Sequence, residues 1–189
     1  MFTREYWASS FAKFKSVRYL AIMAFLIAMR LVLDHFRLPI SENLNIMFTF
    51  VPTAVEAMIV GPGAAMISGF AADMLTGTLS AYGPFFPGYT LSKILGGLIL
   101  GLAFYRTRIT WRRILIGKGI INYLVNVCLG SLWSSILYSK GFLFYASASL
   151  IKNTILLPVE VVILYLLFKS LIPILQRRGL IRDTSVSPR

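Results

Sequence analysis

Arg30, Glu56, Asp73, Lys93, Lys152 and Glu160 all stand inside long apolar runs, joined there by the amides Asn122, Asn126 and Asn153. An ionisable side chain at membrane depth is costly, so each is a candidate for binding or transport. A guanidinium such as Arg30 can grip a carboxylate or a carbonyl-rich edge through two parallel bonds, more selectively than a lysine. Asn153 offers both donor and acceptor to a heterocycle edge, and Asp73 could accept from an amino group. Phe85, Phe86 and Trp133 could stack on flat rings. Against these roles stands simple pairing: Asp73 with Lys93, Lys152 with Glu160 two turns along one face, Arg30 with Asp34 four residues on. Glu56, beside a Gly-Pro turn, reads as structural.

The same inventory excludes much chemistry. With one histidine, His35, and one cysteine, Cys128, the sequence offers no histidine or thiolate metal cluster and no internal disulfide. It shows no paired aspartates and no Ser-His arrangement, so a membrane-embedded enzyme lacks its constellation. No G-x-x-x-x-G-K-[ST] loop occurs, so ATP is not bound in the P-loop manner. No cofactor is expected.

Composition says what must position these groups. Hydrophobic residues make up 57% of the 189 residues and charged ones 14%, against roughly 25% charged in soluble domains. Mean hydropathy is +0.75. Lipid is the fitting solvent, and a spanning helix takes about 20 residues. The net charge of +12 gathers at the ends of apolar runs, which suits anionic headgroups and not nucleic acid.

The predicted organisation is an all-α membrane protein, a bundle of six transmembrane helices. Residues 1–17, with Trp7, Phe11 and Phe14 among basic residues, read as a cytoplasmic interfacial segment. Residues 18–175 hold the spans, and 176–189 form a basic cytoplasmic tail. The spans run from about Arg18 to Phe36, Asn45 to Val60, Ala64 to Leu79, Tyr89 to Tyr105, Ile114 to Tyr138 and Phe144 to Leu175. Gly61-Pro62-Gly63 turns the second into the third, and Ser80 to Gly88 makes an aromatic loop. Most Lys and Arg residues lie in the N-terminal segment, the loop after the fourth span and the C-terminal segment. They share one side only if the helix count is even, which places both termini in the cytoplasm. At ~1.5 Å per residue, Arg30, Asp73, Lys93, Asn126, Lys152 and Asn153 fall in the outer part of the bilayer, as a cavity open to the outside would require. Ala21, Ala24 and Ala28 make a small-residue strip on the first span, suited to close helix approach; Gly97 and Gly101 make another, for packing inside the bundle.

In this order the motifs resemble those of the substrate-binding S components of energy-coupling factor (ECF) vitamin transporters, most closely the folate-specific branch. The resemblance is carried by Ala24-Phe25-Leu26-Ile27-Ala28 followed by Arg30, and by Val51-Pro52, Gly61-Pro62, Gly69 and Asp73-Met74-Leu75. Lys152-Asn153, with Pro158 and Glu160 behind it, completes the set, and the similarity runs from about Arg18 to Lys169. It implies a subunit of the prokaryotic cell membrane that binds folate or a reduced folate from outside. Arg30 and Asn153 would contact the substrate, under the loops after the first and third spans. Ala24 and Ala28, with Ala21, would dock on a transmembrane coupling subunit driven by two ABC-type ATPases. The alternatives are another vitamin, such as riboflavin or thiamine, and a self-sufficient carrier using Asp73 and Lys93 for ion coupling.

Overall fold

The computed structural model describes residues 4–36, 38–41, 44–79, 86–138 and 140–181. Among them the chain is helical apart from one short ribbon. Helix α1 (Arg4–Phe11) passes through a 3-10 turn (Ala12–Lys15) and a bend of 85° into α2 (Val17–His35). Strands β1 (Leu38–Ser41) and β2 (Leu44–Ile46) pair antiparallel, with Leu38 opposite Ile46. Then come α3 (Phe50–Val60), α4 (Pro62–Leu79) and α5 (Pro87–Phe104). Helix α6 (Trp111–Ile120) continues through a π-helical stretch (Ile121–Leu129) into α7 (Gly130–Leu137), and α8 (Phe142–Arg177) follows.

Three units are long and apolar enough to cross a membrane: α5, the run from α6 to α7, and α8; counting the bent pair of α1 and α2 as one span makes four. Helix α3 has only 11 residues, about 16 Å of rise, short of the ~30 Å hydrocarbon core. Length and apolarity therefore support three or four crossings, against the six expected. The second span was expected from about Asn45, but residues 44–46 pair in the ribbon and α3 begins at Phe50. Apart from that short ribbon the described residues keep to the all-α class expected.

Local chemistry explains the joints. Gly61 takes φ +86° between α3 and α4, a backbone conformation that side chains disfavour. Ser10 of α1 secures that turn, its hydroxyl donating to Val60 O at 2.8 Å and accepting from Ala64 N at 3.0 Å. Tyr6 reaches from the same helix to Gly101 O at 3.3 Å, and Arg18 donates to Arg178 O beyond α8. The ends of α3, α5 and α8 and the start of α2 thus meet at one end of the bundle. The core between them is built from Met23, Leu26, Met58, Leu100, Phe104, Leu164 and Phe168, with the Phe104 and Phe168 rings edge to face at 5.2 Å. Outward faces carry exposed Phe25, Val32, Ile155 and Leu166, as lipid contact would favour.

Candidate functional site

A cavity of about 290 Å3 opens in the half of the bundle away from that end. The start of α3 contributes Phe50 and Thr53; the first half of α5 contributes Tyr89, Ser92 and Lys93; α8 contributes Tyr145, Ser149, Lys152 and Asn153. Between them the α6–α7 run supplies Lys118, Asn126, Ser131 and Ser134. A few placed polar groups in a mostly apolar wall are what a small-molecule site requires.

The polar groups form a ladder between the π-helical stretch and α8. Glu160 anchors it: Asn122 Nδ2 donates to Glu160 Oε2 at 2.7 Å, and Lys118 Nζ lies 3.1 Å from the same oxygen. Lys118 also stands over the Phe50 ring, 4.7 Å from its centroid. Asn126 then bridges to Asn122 Oδ1 at 3.4 Å and Asn153 Oδ1 at 3.3 Å. Asn153 in turn donates to Ser149 O at 2.8 Å. Buried charge and amide are tolerable only when satisfied in this way. Ser131 departs from the pattern, since its hydroxyl is buried against the cavity with no hydrogen-bond partner among the described residues.

Of the residues singled out from sequence, Lys93, Lys152 and Asn153 come together on the cavity wall, along with Asn126 and Glu160. Trp133 and Phe86 stand behind it. The Trp133 indole donates to Ser92 Oγ at 3.0 Å, and the Phe86 ring lies 5.8 Å from it and 6.1 Å from Tyr89. Phe85 lies outside the described residues. Arg30 is not in the cavity lining. It is buried against Glu56, whose other oxygen accepts from Ser68, so α2, α3 and α4 are tied through one carboxylate. Asp73 is not in the lining either, and accepts from Thr90 at 2.6 Å across the α4–α5 contact. Glu160, two turns along α8 from Lys152, sits close enough to act on that lysine electrostatically, and it is ion-paired with Lys118 as well. Ala21, Ala24 and Ala28 lie exposed on the outer face of α2.

Sequence reasoning overlooked Lys118, Ser131 and Ser149. Lys118 follows a basic loop closely in the sequence. Its signal was the four-residue spacing Lys118, Asn122, Asn126, which puts three polar groups on neighbouring turns of one face. The π-helical stretch carrying two of them left no such signal; such stretches are rare and frequent at functional sites.

Residues 18–168 match the family model for the substrate-specific component of ECF transporters. The folate transporter FolT of Clostridium novyi (strain NT) is 33% identical over 151 residues, covering 80% of this chain and 88% of that protein. The folate transporter FolT of Leuconostoc mesenteroides subsp. mesenteroides is 29% identical over 160 residues, 81% of this chain and 85% of that protein. A solved crystal structure of FolT bound with folic acid superposes with a TM-score of 0.75 at 32% identity, over 80% of this chain and 93% of that one.

Proposed function

We propose, because this chain belongs to the family of ECF transporter substrate-specific components, that it binds folate from outside a prokaryotic cell and delivers it inwards. The observation that carries this reading is the gathering of Lys93, Asn126, Lys152 and Asn153 around one cavity, in a chain similar to folate transporters. Folate offers two tail carboxylates, an aryl ring and a pterin edge of donors and acceptors. Lys93 and Lys152 suit the carboxylates, while Asn126, Asn153 and the unpartnered Ser131 hydroxyl suit the pterin edge. Phe86 and Trp133 back the aromatic wall through Tyr89 and Ser92. Arg30 acts here as a positioning residue, holding through Glu56 the helix whose Phe50 and Thr53 line the cavity. Asp73 likewise fixes the start of α5 through Thr90.

Six crossings with both termini in the cytoplasm complete the reading, supported by the convergence of the basic segments at the end opposite the cavity. The energy comes from outside this chain, through a transmembrane coupling subunit driven by two ABC-type ATPases. The exposed Ala21, Ala24 and Ala28 give that subunit a face to approach closely.

The test is tryptophan-fluorescence titration of the purified protein with folate, riboflavin, thiamine and biotin. Folate alone is expected to quench, through Trp133 beside the cavity, and the response should weaken in Lys152→Ala. Quenching by another vitamin in its place would overturn the folate assignment. The docking role is tested separately: Ala24→Trp with Ala28→Trp should abolish uptake in cells while the purified protein still binds folate. Uptake surviving both changes would refute it.

A further inference from the structure

A second cavity, about 210 Å3, lies at the opposite end of the bundle. Lys13 of the 3-10 turn and Arg106, just past α5, present their charges to it, with Tyr19 and Tyr105 beside them. The chain beyond α8 closes one side, and buried Ile59 and Phe104 form an apolar floor. Four separate parts of the chain therefore meet around this space. None of its wall is shared with the cavity assigned to folate.

Among the described residues the charges there have no counter-charge. Lys13 Nζ stands 3.6 Å from the centroid of the Tyr19 ring, and the Arg106 guanidinium 5.4 Å from that of Tyr105. Neither cation forms an ion pair among the described residues. Among the described acids, Glu5 is exposed on α1 and Glu56 is committed to Arg30. Arg106 also adopts φ +53°, the one positive φ among the described non-glycine residues. An arginine seldom takes that conformation. Arg106 stands just past the end of α5, where a left-handed residue terminates a helix and fixes the direction in which the chain leaves.

We propose that this second cavity binds a phosphate-bearing anion, supplied by the headgroup of an anionic phospholipid. Basic pockets between helices at the cytoplasmic side of a membrane protein suit such headgroups. A lipid fits better than a free phosphate because the adjoining start of α2 exposes Val17 and Leu20, a surface that acyl chains can follow. The bound headgroup would tie the 3-10 turn after α1 to the segment just past α5 by charge. The inference is independent of which ligand the first cavity takes.

The test uses the full chain purified in a neutral detergent, with native mass spectrometry and thermal unfolding as readouts. Phosphatidylglycerol should remain bound one to one and raise Tm, while phosphatidylcholine should do neither. Lys13→Gln with Arg106→Gln should weaken phosphatidylglycerol binding by about fivefold per charge removed. Arg112→Gln with Lys169→Gln removes the same charge outside the cavity and should leave the binding intact. Arg106→Lys should keep most of it, which covers the case in which the double variant folds poorly. Equal loss in both double variants would overturn the proposal, since a diffuse basic surface would then suffice. Equal protection by inorganic phosphate would overturn the lipid assignment, and equal binding of phosphatidylcholine would overturn the charge-based site.

Discussion

Helix α5 treats two adjacent glycines in opposite ways. A methyl group built on Gly97 would sit 2.4 Å from Ala65 O, and one on Gly101 would sit 2.3 Å from Pro62 Cα. Across the same seam, a methyl on Gly69 of α4 would meet Lys93 O at 2.7 Å. On Gly96, which lines the larger of the two cavities described above, it would meet nothing within 4 Å. One side of α5 is therefore pressed backbone to backbone against α4, while the other fronts open space bordered by hydrophilic groups. Lipid gives no hydrophobic drive for helices to associate, so tight packing must hold the bundle. The lesson is a division of labour: the α4–α5 seam supplies rigidity, and the α5–α8 side is left open.

Substitutions can break that division in order of severity. Gly101→Leu forces a side chain into the backbone of Pro62 and should leave no monodisperse protein on size exclusion. Glu160→Leu removes the partner of the buried Lys118 and should destabilise by ~3 kcal/mol, as an uncompensated charge does. Adding Lys118→Met should recover much of that loss in a thermal unfolding assay; no recovery would show that the pair is not the source. Gly97→Ala should cost about 1–3 kcal/mol by overpacking. Gly96→Ala, one residue away, should leave Tm unchanged or slightly higher, since alanine favours a helix by up to ~1 kcal/mol over glycine. A similar loss of stability at both positions would erase the contrast between the two sides of α5.

Much of this arrangement was legible in the residues. Apolar runs bounded by Gly61-Pro62-Gly63 and by basic loops placed the helices, and the Gly97–Gly101 spacing pointed to the packed seam. Lys93, Lys152 and Asn153 were readable as cavity residues because the start of α5 and the first half of α8 fall at one level. The pairing of Arg30 with Glu56 was not readable. Rise per residue gives depth along one helix, but not which way a side chain turns or how two helices stand against each other. Glu56 was assigned to the turn that follows it, although α3 is short and enters from a ribbon that no periodicity announced. Lys118 was hidden for a different reason: a lysine about two turns inside a helix looks the same whether it faces headgroups or Glu160.

The proposed role of this protein requires that folate sit against the wall bearing Lys152 and Asn153. Isothermal titration of folate into wild-type protein and into Lys152→Ala with Asn153→Ala measures this without a transport assay. Loss of two hydrogen bonds, one of them to a cation, should weaken binding on the order of 100-fold while the protein keeps its fold. An unchanged affinity in the folded double variant would place the ligand elsewhere and contradict the assignment of this cavity.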